Sequence, residues 1–160
     1  MARFKGLDVL VASSNGHLAD AIRSLLVGEA YEVFATTSFH EAKSRMVARL
    51  PRLLIADINL GEFNGLHLAW YRYLRCPRMP SLIVHTSMDP LLRAEAQKLG
   101  APFLVLPIPG PELLTIVTRL ISRHGRFRRV TPVQSTEPTW NLPFSRQDSH
   151  RPHSTPGRDS

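Results

Sequence analysis

Two hydrophobic periods take turns along the first 123 residues. Short runs that stay apolar on both faces, Leu7–Ala12, Tyr31–Thr36, Leu53–Asp57, Ser81–Thr86 and Phe103–Leu106, predict buried strands. Between them apolar side chains recur every three or four residues, as at Leu18, Ala21, Ile22, Leu25 and Leu26, and predict helices. These helices run over His17–Gly28, from Ser38 to about Leu50, and over Gly65–Leu74, Pro90–Leu99 and Pro111–Arg123. Their ends carry signals of their own. Ser38 is placed to cap a helix, with Glu41 completing a capping box. Pro90 suits a first turn, and Gly100 suits the position just past a helix end.

Strands of this kind, separated by amphipathic helices, form a parallel sheet covered on both faces. Five such units fit a flavodoxin-like α/β fold, a doubly wound (βα)5 sheet with strand order 2-1-3-4-5 and right-handed crossovers. The 160 residues, 43% apolar and 21% charged, divide into one domain over 1–124 and a tail over 125–160. Pro132, Pro138, Pro143, Pro152 and Pro156 interrupt any period in the tail. Its few apolar side chains do not offset the entropy of ordering it, so it is expected to be disordered. Trp140, Leu142 and Phe144 are the exception, since their period-2 spacing matches a short docking strand.

Charge and cysteine content narrow the function classes. The net charge of +7 comes from 14 Lys and Arg against 10 Asp and Glu up to residue 124, and 6 Arg against 3 acids after it. Basic tails can bind nucleic acid. This one holds no helix-turn-helix, zinc pattern or basic helix and reads better as a solubilising segment, so nucleic acid is not the expected partner. No apolar run reaches the roughly 18 residues that cross a bilayer. Met1-Ala2-Arg3-Phe4-Lys5 leads into a strand and not a signal peptide, so a cytoplasmic protein with no membrane partner is expected. Cys76, the single cysteine, excludes an internal disulfide and a multi-cysteine metal site.

In an open α/β sheet the site lies beyond the carboxyl ends of the strands, where the strand order reverses. The first strand brings Ser13, Ser14 and Asn15 there; the third brings Asp57, Ile58 and Asn59. The fourth adds Thr86 and Ser87, and the fifth Leu106 and Pro107. The pocket therefore has one carboxylate, several hydroxyls and amides, and no cation. Neither Gly-x-Gly-x-x-Gly nor a P-loop follows any strand, which argues against dinucleotide or nucleotide binding. A nucleophile–base pair and a metal cage are missing too, so no enzyme is expected.

The segment Leu53-Leu-Ile-Ala-Asp57-Ile-Asn-Leu-Gly-Glu-Phe-Asn-Gly65 resembles the phosphoacceptor strand and loop of receiver domains, the input modules of bacterial two-component response regulators. Ala96-Gln-Lys-Leu-Gly-Ala101 followed by Phe103-Leu-Val-Leu-Pro107 is similar to that family's fourth helix and fifth strand, and the resemblance covers about residues 7–123. It implies that Asp57 stands at the phosphoacceptor position and Asn59 where a backbone carbonyl ligates magnesium. Thr86 falls at the switch hydroxyl and Phe103 at the switch aromatic, where the family's frequent Tyr is absent. A cis bond is implied at Leu106–Pro107.

Two departures change the chemistry that the resemblance implies. The family has a pair of acids after the first strand, where this chain has Ser13 and Ser14, and a lysine where it has Leu106. Magnesium takes hard anionic oxygens in octahedral geometry and gives up water reluctantly. Each missing acid removes an attraction of roughly 4 kcal/mol at an effective dielectric of 20. A net loss of half that weakens binding about 30-fold. Losing the acids and the lysine together leaves a nearly neutral pocket that is stable without metal. Asp57 is then expected to accept hydrogen bonds from Ser14, Thr86 or nearby backbone N–H groups.

The expected function is a stand-alone receiver-like (pseudo-receiver) signalling module. It acts by protein–protein interaction, through the surface of the fourth helix, fifth strand and fifth helix that the resemblance implies, with magnesium-dependent phosphorylation of Asp57 impaired or absent. Its partners would be a histidine kinase or a downstream regulator. The alternative is an atypical but working response regulator phosphorylated on Asp57 by a histidine kinase. No cofactor is expected, with magnesium entering only if Asp57 is phosphorylated. Elsewhere, His85 reads as a packed, hydrogen-bonded strand histidine. Cys76 lies between Arg75 and Arg78, whose charges can lower a thiol pKa, but it reads as the end of a helix without a redox role. Of the aromatic cluster Trp70, Tyr71 and Tyr73, part should pack on the sheet while Tyr71 and Arg72 face outward.

Overall fold

A computed structural model describes residues 8–123. The expectations placed on the tail, its disorder and the Trp140–Phe144 docking strand among them, lie outside the described residues. In chain order the elements are β1 (Val9–Ala12), α1 (Gly16–Gly28), β2 (Val33–Thr36), α2 (Phe39–Ala48), β3 (Leu53–Asp57), α3 (Gly65–Arg75), β4 (Ser81–His85), α4 (Pro90–Lys98), β5 (Phe103–Val105) and α5 (Gly110–Arg123). The five strands form one parallel sheet ordered β2-β1-β3-β4-β5, as the alternation of periods predicts. Observed strands are shorter than the apolar runs by up to two residues at an end, because pairing with a neighbour stops before the apolar character does.

Why these residues make this sheet follows from the two layers that cover it. Every residue of β1 and β3 is buried, so no alternation is needed or seen. Leu10, Leu54 and Ile83 point to the face carrying α2, α3 and α4, where Met46, Leu68 and Ala96 meet them. Val9, Val11, Ile55 and Val84 point to the other face, against Ile22 and Leu26 of α1 and Val117 and Ile121 of α5. Each fully buried Leu, Ile or Val contributes about 1.5–3 kcal/mol, which makes the central strands the most firmly held part of the molecule.

The helix ends are set by side chains. Asn15, Ser38, Asn64 and Asp89 cap α1, α2, α3 and α4, and Pro90 opens α4 as expected. Gly100 follows α4 with φ +68, the left-handed conformation that glycine adopts without penalty. The box expected at α2 is only half formed. Ser38 Oγ accepts from the Glu41 N–H at 3.2 Å, but the Glu41 carboxylate takes the Thr36 hydroxyl. The Ser38 N–H donates to Thr36 Oγ1 at 3.1 Å instead. A capping box does form at α3, between Asn64 and His67.

One sequence expectation fails on α3, and Cys76 ends that helix as expected. Arg72 does not face outward: it is buried, and its guanidinium donates to the carbonyls of Pro77 (3.3 Å), Met79 (3.1 Å) and Leu99. Helix phase explains this, since Gly65, Leu68, Ala69 and Arg72 share one stripe facing the core. Burial pushes its pKa down. Cys76 is not activated by its arginines. Desolvation pushes its thiol pKa up, against the smaller opposing pull of Arg75 and Arg72.

Gly65 begins α3 directly against β3. A Cβ at this position would stand 2.9 Å from the Asp57 carbonyl carbon and closer still to its oxygen, so only glycine permits the approach. Gly65→Ala is expected to destabilise the fold by about 1–3 kcal/mol. Ala30, at φ 67, is the reverse case, and Ala30→Gly should stabilise by up to about 1 kcal/mol. Thermal unfolding monitored by circular dichroism checks both signs. Arg72→Met, which strips three carbonyls of their donor, should cost about 2–4 kcal/mol in urea unfolding. Because the Cys76 thiol is held protonated, it should alkylate with iodoacetamide several-fold more slowly at pH 8 than in the urea-unfolded chain. The stability it supports is fully present below the unfolded thiol pKa of about 8.5 and is lost as pH rises from there. Cys76→Ser should flatten that alkaline slope.

Candidate functional site

The carboxyl ends of β1 and β3 meet where the strand order reverses. The ladder pairs Val9 with Leu53 and runs in register to Ala12 with Ala56. One step further the same offset sets Ser13 beside Asp57. Both side chains leave the sheet on the face of Val11 and Ile55, by the strict alternation of a strand. Ser13 Oγ donates to Asp57 Oδ2 at 2.6 Å, a short bond between two buried groups. The other oxygen, Oδ1, accepts the backbone N–H of Asn59 at 3.0 Å. The serine oxygen in turn accepts the Asn15 N–H at 3.1 Å, which fixes its rotamer.

Ser14 does different work from the one expected of it. Its hydroxyl donates to the Asn59 carbonyl at 2.8 Å, and its backbone N–H donates to the same oxygen at 2.9 Å. The Asn59 carbonyl is therefore turned toward the β1–α1 loop and saturated with two donors. Thr86 stands past the end of β4 and is exposed, and among the described residues no hydrogen bond joins it to Asp57. Of the three expected kinds of donor to the carboxylate, only a backbone N–H is found; the hydroxyl comes from Ser13.

The remaining predicted positions lie around this centre without entering it. Leu106 is buried in the layer beneath α1 and α5 and offers no polar atom; the bond to Pro107 is cis, as the resemblance implies. Phe103 is half-buried on the opposite face, edge-on to His85 with centroids 6.3 Å apart. His85 differs from expectation in lacking a hydrogen bond at its buried Nδ1. Sequence reasoning overlooked Thr36, whose carbonyl receives the Ser13 N–H at 3.1 Å and whose hydroxyl engages Glu41. Its place opposite Ala12 in the β1–β2 register was the available signal.

A divalent cation of the kind the fold family uses does not fit these donors. Magnesium needs several anionic or carbonyl oxygens with free lone pairs aimed at one point. Here Asp57 supplies the single carboxylate and faces two hydrogen-bond donors, while the Asn59 carbonyl is already taken by Ser14. Among the described residues no group of three His, Cys, Asp or Glu side chains comes together, and no ion pair reaches Asp57.

No protein-family model matches the chain, and no curated protein matches it either. Solved structures do. A CheY-like response regulator receiver domain protein from Methanospirillum hungatei superposes with a TM-score of 0.71 at 18% identity, over 76% of this chain and 98% of that one. The receiver domain of NtrX from Brucella abortus gives 0.67 at 22% identity, over 72% and 98%. The chemotaxis protein CheY4 of Vibrio cholerae gives 0.66 at 20%, over 72% and 98%. Residues 8–123 thus have the fold of CheY-like receiver domains.

Proposed function

We propose that this protein is a receiver-like signalling module that acts in the cytoplasm by binding protein partners, without catalysis of its own, and that magnesium-dependent phosphorylation of Asp57 is impaired or absent. The observation that carries this reading is the state of the Asp57 carboxylate. Both its oxygens are satisfied by donors from the same chain, and among the described residues no second acid and no ion pair joins it.

Phosphoryl transfer to a carboxylate is mostly a matter of positioning and of offsetting charge on the incoming group. The side chains that surround Asp57 supply neither. Ser13 and Ser14 stand where anionic ligands would gather a cation, and each spends its proton on an oxygen that such a cation would use. Leu106 brings hydrocarbon to the position of a counter-charge. These three positions depart from the family pattern in a mutually consistent way: two acids and the lysine are missing together, and Asp57 is left as a lone carboxylate held by neutral donors.

Incubation of the full chain with acetyl phosphate and magnesium should give no stoichiometric labelling. Rapid labelling that disappears in Asp57→Asn would overturn the reading and make the chain a working response regulator. The triple variant Ser13→Asp, Ser14→Asp, Leu106→Lys should bind magnesium at least about 30-fold more tightly in calorimetry than the natural sequence does.

A further inference from the structure

The loop that joins Asp57 to α3 is fastened at two points. Its tip folds back on itself, with Leu60 bridged to Phe63 and Gly61 at φ +69 between them. Phe63 stacks on Phe39 of α2 at 4.3 Å between centroids, which ties the tip to the neighbouring helix. The imidazoles of His40 and His67 stand edge-to-face with the same ring, at 5.5 and 5.8 Å. The second fastening is the capping box at the start of α3. Asn64 Oδ1 accepts the Leu66 N–H at 2.8 Å, and His67 Nδ1 lies 3.2 Å from the Asn64 nitrogen.

A capping box ordinarily closes with Glu or Gln, and both keep an acceptor oxygen at neutral pH. This one closes with an imidazole, which accepts through Nδ1 only while that nitrogen carries no proton. Nδ1 is also 3.2 Å from the Asn64 carbonyl oxygen. That oxygen already takes the His67 N–H at 3.0 Å, whereas the Asn64 N–H has no other acceptor among the described residues. The neutral Nε2–H tautomer is therefore the one that satisfies both groups of Asn64. Protonation turns Nδ1 into a donor, orphans the Asn64 N–H and sets a positive charge at the positive end of the α3 dipole.

Imidazole is the side chain that changes charge between about pH 5 and 8. Around this one, α2 contributes His40 against Phe63, Lys43 over the Tyr71 ring, and Glu41, whose carboxylate takes the Thr36 hydroxyl. The loop contributes Glu62, and β3 contributes Asp57, held by Ser13 and the Asn59 N–H. Among the described residues no carboxylate forms an ion pair with His67. We propose that His67 is a pH-sensitive lock on the β3–α3 loop. Neutral, it closes the capping box and steadies the segment beside Asp57; protonated, it frees the first turn of α3 and the loop opens more often. The contact is intact at the alkaline end of the range and is lost as pH falls through it. The inference goes beyond the proposed function and does not depend on whether Asp57 is phosphorylated.

The full chain, isotopically labelled, is followed by NMR from about pH 8 to about pH 5. At the alkaline end, long-range proton–nitrogen correlations should show His67 as the Nε2–H tautomer. On acidification the Asn64 amide should shift with the same midpoint as the His67 ring. Its hydrogen-exchange protection factor, which already removes the intrinsic effect of pH, should fall about threefold or more, as the loss of one modest hydrogen bond implies. His67→Gln keeps an acceptor at every pH and should abolish both responses, while His67→Phe should leave Asn64 weakly protected throughout. Circular dichroism confirms the fold of each variant. His40→Asn should leave the response of Asn64 in place. A ring protonated on Nδ1 at the alkaline end, an Asn64 amide that ignores the ring, or a full response in His67→Gln would overturn the proposal. So would loss of the response in His40→Asn, which would move the sensor to α2. Should His67→Gln fail to fold, the tautomer and the shared midpoint in the natural sequence decide alone.

Discussion

A buried carboxylate must find donors, and where Asp57 finds them decides the character of this molecule. Leaving such a group unpaired in a protein interior costs several kcal/mol, so its neighbours are constrained as tightly as any core residue. The β1–β3 register places Ser13 beside it, the chain reversal after β3 adds the Asn59 N–H, and Ser14 closes the loop by holding the Asn59 carbonyl. The three contacts are mutually dependent. They hold the top of the sheet together with hydrogen bonds from neutral donors to two acceptor groups, the Asp57 carboxylate and the Asn59 carbonyl.

That arrangement separates the site from the far ends of α2 and α3. In a doubly wound fold each helix runs back from the carboxyl ends of the strands, so Asp57 and the C-terminal turns with Val47 and Leu74 lie toward opposite ends of the sheet. Buried strands and the α3 stripe of Leu66, Leu68 and Ala69 fill the space between.

Much of this was legible in the residues. Strands apolar on both faces could only be interior to a parallel sheet, and five strand–helix repeats fit a flavodoxin-like sheet with the order found. What stayed hidden was competition among local partners. Glu41 has the right spacing for a capping box, but Thr36 sits closer to its carboxylate, and spacing alone does not rank two donors. Ser14 and Ser13 look equivalent in the sequence; only strand parity tells which one shares a face with Asp57. Arg72 was misplaced because its charge was weighed above its helical phase. Cys76 ends α3 as its place in the sequence suggested, and there the adjacent arginines matter less to its thiol than loss of water.

Arg72 ties together elements that the chain joins only through β4. Its guanidinium grips the carbonyl of Leu99 at the tail of α4 and those of Pro77 and Met79 in the turn after α3. The head of α4 is held by the Asp89 cap and by Leu92 against the core, with Met88 and Leu91 open to solvent. The Leu99 end of α4 therefore carries polar and apolar anchors together, while its first turn carries a cap and the contact of Leu92.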